Sequence, residues 1–146
     1  MQNYKVKCKN PAVSIDLIVQ DLQGRILLGK LSERWQEGGK YLWGLPGREV
    51  SFGETLKACA ERNLKGELNI EMTAGKIVCI NSNFGFGNHY ISVGILVAAS
   101  SSPRNKKSED WQGWKWFDKG KIPKKLFPSA EKTLKSFLEN KISLDF

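Results

Sequence analysis

From Ala12 the chain alternates polar and apolar positions and then runs apolar through Val13, Ile15, Leu17, Ile18 and Val19, which predicts a strand over 12–19. Residues 20–24 end in a glycine and turn the chain into a second strand over 25–30. Residues 32–40 are polar and carry two glycines, hence a loop, and the apolar stretch 41–45 stops at Pro46 and Gly47. From Glu54 the period changes: Leu56, Cys59 or Ala60, Leu64 and Leu68 recur every three to four residues, so an amphipathic helix is predicted, ending near Asn69. Two strand-like stretches follow, 75–81 and 89–99, joined as a hairpin by the glycine- and asparagine-rich link 83–88. A serine- and lysine-rich surface loop over 100–108 leads to a short aromatic strand over 114–117. Pro128 and Ser129 then open a helix with Ala130, Leu134, Phe137 and Leu138 on one face. Helices and strands in this order give an α/β class, and no repeat or linker divides residues 1–146, which read as a single domain.

Composition narrows the class further. With 146 residues, 40% of them hydrophobic, a core can be buried without covalent staples. No apolar stretch approaches membrane-spanning length and the start of the chain is polar, so a soluble, cytoplasmic protein is expected, with no membrane partner. Cys8, Cys59 and Cys79 are odd in number and lack ligand spacing, which argues against a disulfide framework and against a zinc site. The formal charge of +8 attracts phosphates, nucleotides or RNA without choosing among them. A solvated lysine-rich surface around Lys106, Lys107 and residues 115–125 is the favoured reading, and RNA binding the less favoured one.

The chemistry concentrates in residues 45–56 and 61–70, a glycine turn followed by the predicted helix. The stretch resembles the Nudix box, G-x5-E-x7-R-E-U-x-E-E-x-G-U with U a bulky aliphatic residue, in which a tight glycine turn brings backbone N–H groups towards a diphosphate and helix carboxylates spaced three and four apart line one face to hold a divalent cation. Glu54, Arg62, Leu64, Glu67 and Ile70 match it; Arg48, Asn63, Gly66 and Asn69 stand where glycine, glutamate, glutamate and glycine belong. The resemblance implies the Nudix fold, an α/β/α sandwich with a mixed β-sheet and a loop–helix–loop box, and a Mg²⁺-dependent hydrolase of nucleoside diphosphate derivatives, with Mn²⁺ as an alternative ion. Glu54 and Arg62 are read as an ion pair fixing the loop on the helix. Glu67 is read as a metal ligand, and Asn63 either as a ligand or as a surface asparagine.

Beyond the box, residues 11–19, 27–30, 54–56, 61–62, 67–68, 73–75 and 89–90 resemble the GDP-mannose mannosyl hydrolase branch, which also lacks the glutamate after the box arginine. That branch implies attack of water at the anomeric carbon of a nucleotide sugar, metal ligands at Asp16, Glu67 and Asp110, and a homodimer. Asp16 also draws notice by itself, because it interrupts an apolar strand; it is either a ligand or a satisfied aspartate of an edge strand. The branch's histidine base is replaced by Trp111, leaving Glu109 or Asp110 as candidate bases, with Arg62 completing the catalytic set. Gly47, Arg48 and Trp111 are the candidate substrate contacts, the tryptophan from a loop beside the site while Trp114 and Trp116 share a core face. His89 is read as a packed strand histidine. Attack at phosphorus on nucleoside triphosphates or other diphosphates, and a nucleotide- or RNA-binding module without turnover, are the competing readings.

Overall fold

Strand β1 (Ala12–Gln20) is the axis of the molecule, because both of its faces carry apolar side chains that need cover. In the computed structural model, which describes residues 10–99, 102–104 and 107–141, it lies parallel to β5 (Asn88–Ala99) along its whole length. Cys8, Lys106 and part of the loop expected over 100–108 lie outside the described residues. The other pairings are antiparallel: β1 with β2 (Ile26–Leu31), β2 with the short β3 (Trp43–Gly44) and with β6 (Trp111–Phe117), and β4 (Met72–Gly85) with β5. The strand order is β3-β2-β1-β5-β4, with β6 on β2.

Alternation along β1 divides the core. Ile15, Leu17 and Val19 face helix α1 (Leu56–Asn63), packing with Cys59, Ala60, Leu64 and Leu68, whereas Ile18 faces helix α2 (Pro128–Leu138) and packs with Ala130 and Leu134. The result is the expected α/β/α sandwich on a mixed sheet. The face of α2 differs from the one its apolar period predicts. Leu138 is exposed, while Ser129, Thr133 and Ser136 are buried, because that face meets polar groups of the sheet instead of a fully apolar surface.

Two junctions set the site. The hairpin of β4 and β5 is longer than expected: Gly85 pairs with Asn88, leaving only Phe86 and Gly87 in the turn, both at positive φ. Two positive-φ residues match the twist of antiparallel strands. Phe86 is held in this uncommon conformation by stacking on Phe127 and by an edge contact with Trp35. At the other junction β1 meets β2 only at Gln20 and Ile26, so its N-terminal half is open on that side and pairs with the turn after β3. Ile15 N–H donates to the Arg48 carbonyl at 3.0 Å, Leu17 N–H to that of Pro46 at 2.8 Å, and Val50 N–H to that of Val13 at 2.8 Å. Gly47, at φ 138°, passes so close that a Cβ there would sit on the Ile15 carbonyl oxygen.

The helix expected to end near Asn69 does so, but not as one regular helix. Thr55 caps α1, accepting from Ala58 N–H at 3.1 Å, and α1 continues as a π turn over Leu64–Leu68. Asn69 closes the turn in the left-handed region at φ 54°. Glycine is the usual residue for that conformation and asparagine the commonest substitute, which explains how Asn69 serves at the motif's last glycine position.

Candidate functional site

The turn 46–51, the start of α2, the 3₁₀ turn Glu33–Trp35 and the tip of the β4–β5 hairpin surround an open cleft of about 1160 Å³. One wall is aromatic, built from Trp35, Phe86 and Phe127. The floor is polar. Ser14 and Ser92 hydroxyls lie 3.0 Å apart across β1 and β5, Asn83 Nδ2 donates to Ser92 Oγ at 3.1 Å, and Asn83 also bonds Asn81. Thr133 Oγ1 joins this chain, accepting from Asn81 Nδ2 at 3.4 Å and lying 3.3 Å from Asp16 Oδ2. Asn83 is buried, yet its Oδ1 has no hydrogen-bond partner among the described residues. Asp16 therefore turns towards α2. Burial pushes its carboxyl up to about 6, with Ser129 and Thr133 pulling in the opposite direction.

The motif's ion pair forms as expected. Arg62 Nε donates to Glu54 Oε2 at 2.8 Å and its NH2 to Glu54 Oε1 at 3.0 Å, while the same NH2 also reaches the Glu49 carbonyl at 3.1 Å. Glu54 in turn accepts from Ser51 N–H at 3.1 Å. These bonds tie the turn to α1, and the Arg62 guanidinium holds the Glu54 carboxyl down at about 2. Arg62 thus positions the turn through its Nε and NH2. Asn63 is buried, contrary to the surface reading: its Nδ2 donates back to the Cys59 carbonyl at 2.7 Å.

Glu67 extends from the π turn into a second, smaller cleft of about 360 Å³, which it shares with Arg48, Arg62, Asn63, Gly66 and Arg104, and with Lys107 and Ser108. Burial raises its carboxyl to about 7, opposed by Arg48 and by the Trp111 indole. Its Oε1 accepts from Arg48 Nε at 3.4 Å; its buried Oε2 has no partner among the described residues. Asp110 is also buried, and both of its oxygens are engaged: Oδ1 by the Arg34 guanidinium and by Trp35 Nε1 at 2.7 Å, Oδ2 by Arg48. Glu109 is exposed and pairs with Arg34 NH1 at 2.6 Å.

Trp111 is not in a loop. It opens β6 and is buried against Trp114, ring centroids 4.5 Å apart, with one edge lining the large cleft. A register shift between Lys30 and Leu31 makes room for an extra residue opposite β2, so Trp111 falls on the same face as Trp114 and Trp116 instead of alternating away. Gly29 and Gly44 leave the space that the indole fills. His89 stacks on Phe84 at 4.4 Å in β5, as a packed strand histidine should.

The divalent cation implied by the resemblance can be tested against these donors. Mg²⁺ and Mn²⁺ favour several oxygen ligands, carboxylates foremost. Asp16 faces α2 and Thr133, Glu67 and Asp110 meet at the Arg48 guanidinium, Asp110 has both oxygens in charged or indole hydrogen bonds, and Gly66 offers no side chain. Among the described residues no group of three histidine, cysteine, aspartate or glutamate side chains is placed to hold a metal. The unpartnered Glu67 Oε2 alone suits a cation, and a guanidinium already lies beside that carboxylate. The donor set does not fit the ion. The sequence pattern missed Arg34, and it points to Trp35 only as an aromatic beside the site; both claim Asp110 from 75 or more positions away, which leaves no local signal.

A family model described as NUDIX domain matches residues 10–137. A MutT NUDIX hydrolase from Burkholderia pseudomallei is similar at 26% identity and a TM-score of 0.77, over 88% of this chain and 98% of that one. A MutT protein from Methanosarcina mazei is similar at 21% identity and a TM-score of 0.74, over 92% and 97%. An ADP-ribose pyrophosphatase from Streptococcus suis aligns at 20% identity and a TM-score of 0.67, over 90% and 92%. The last two likenesses concern the fold alone.

Proposed function

The chain belongs to the NUDIX domain family, and from that premise we propose that it is a hydrolase of a nucleoside diphosphate derivative, most specifically of a nucleotide sugar. The observation that carries the reading is the large cleft. At about 1160 Å³ it exceeds what a base and ribose require, since sites for drug-sized ligands run to roughly 1,000 Å³. Its aromatic wall of Trp35, Phe86 and Phe127 offers faces for a planar ring, and the polar floor of Asn83, Ser92 and Ser14 offers hydrogen bonds to a sugar. Arg48 and Arg62, at the end formed by the turn, are cations suited to a diphosphate.

The purified protein, incubated with a panel of nucleoside diphosphate sugars and nucleoside triphosphates, with Mg²⁺, with Mn²⁺ or with a chelator, tests the proposal. Release of free sugar with intact diphosphate marks attack at the anomeric carbon, and release of monophosphate marks attack at phosphorus. No turnover of any compound under any condition sinks the hydrolase reading. A second reading, a nucleotide-binding module without turnover, is favoured by two observations: the candidate bases Asp110 and Glu109 are both held by Arg34, and the position of the branch's histidine is a core tryptophan. Nucleotide binding without hydrolysis distinguishes it.

A further inference from the structure

Arg48 replaces a residue without a side chain in the family motif, and its guanidinium bridges Glu67 and Asp110. It lies where two carboxylates would otherwise share a cation. Arg62, Arg104 and Lys107 line the same small cleft, so four cationic residues line a cleft that holds the single carboxylate of Glu67. Arg62 is anchored by Glu54, and the backbone of Arg104 is fixed by its N–H bond to the Leu68 carbonyl at 2.8 Å. Arg48 is itself half exposed on the cleft side. Arg48 and Arg62 are ion-paired, whereas Arg104 and Lys107 have no ion pair among the described residues, so the cleft keeps a surplus of positive charge on that side.

We propose that Arg48 is the resident cation of this site and that, with Arg62, Arg104 and Lys107, it binds the diphosphate of the ligand without a divalent ion. The proposal deepens the functional reading above and rests on it for the diphosphate. A planar guanidinium presents paired N–H donors that match two phosphate oxygens, giving both charge and direction. Being covalently attached, it cannot be removed by a chelator. Its pairing with Glu67 and Asp110 keeps it in place before the ligand arrives and also engages one oxygen of each carboxylate that a metal would need.

Calorimetric titration of the full chain with inorganic pyrophosphate, in chelator and in Mg²⁺, tests this together with Mn²⁺ binding followed by electron paramagnetic resonance. The expected result is pyrophosphate binding that survives the chelator, and no Mn²⁺ bound by the protein alone. Arg48→Gly should weaken pyrophosphate in chelator by about tenfold or more and should create Mn²⁺ binding at the freed carboxylates. Arg104→Ala, an exposed change outside the motif, should weaken pyrophosphate by a few-fold and leave Mn²⁺ binding absent, which keeps the test open if Arg48→Gly does not fold. Loss of pyrophosphate binding in chelator, or Mn²⁺ binding by the unaltered chain that Glu67→Gln abolishes, overturns the proposal. Turnover is read separately. Mg²⁺-only hydrolysis with no chelator-resistant pyrophosphate binding leaves the hydrolase reading intact and removes this one; binding without hydrolysis does the reverse.

Discussion

Asp16 shows how a single residue carries a cost that its neighbours only partly offset. Its carboxyl is buried beside Thr133 and Ser129 and titrates at about 6 against an ordinary 3.8. The folded state therefore holds a proton that the unfolded chain has lost. Stability is fully present below about pH 4, falls as pH rises through 6, and stays lowered above it. At about 1.36 kcal/mol per unit, the shift amounts to about 3 kcal/mol at neutral pH as an upper bound. Asp16→Asn retains an acceptor for Thr133 and has no charge to desolvate. It should match the unaltered protein in urea unfolding at pH 4 and exceed it at pH 7 by up to about 3 kcal/mol; an unchanged pH dependence between 4 and 6 would show that Asp16 is not its source.

Among the elements, the turn after β3 and the start of β6 decide which side chains reach the cleft. Gly47 lets the turn hydrogen-bond to β1 at positive φ, and any Cβ would strike the Ile15 carbonyl. Gly47→Ala should cost about 3 kcal/mol or more in denaturant unfolding, through strain and the lost approach to β1. A variant of ordinary stability would mean the turn shifts at little cost. Trp111 makes the complementary point. Buried against Trp114 over Gly29, it is a core residue with one edge in the cleft. Trp111→Ala should therefore destabilise the fold by about 3–5 kcal/mol. Weakened ligand binding at full stability would instead make it a substrate contact alone.

For the molecule as a whole, charge is the property that reaches furthest. A net +8 and a cleft lined by four cations should draw anionic ligands together, with attraction that salt screens. Raising monovalent salt from about 0.1 to 1 M shortens the screening length from roughly 10 to 3 Å, and pyrophosphate affinity should fall by roughly tenfold. Calorimetry across a salt series checks it; a flat series would assign the binding to neutral hydrogen bonds. No helix among the described residues is long and apolar enough to cross a membrane.

Much of this protein is determined locally and so is legible in the chain itself. The alternation of β1, the three-to-four period of α1 and the Glu54–Arg62 spacing each act over a few residues, and each forms as the pattern implies. Asn69 in the left-handed position shows the same local logic. What only the tertiary structure decided concerns partners far apart in sequence. Asp16 turns to α2 because side chains alternate across β1 and that face meets Thr133, 117 positions away. Asp110 goes to Arg34, Trp35 and Arg48 because folding brings their donors to its buried oxygens, and a buried carboxylate takes the donors that reach it. A register shift of one residue in β6 moves Trp111 from the expected loop into the core, since a strand reverses its faces with each single step.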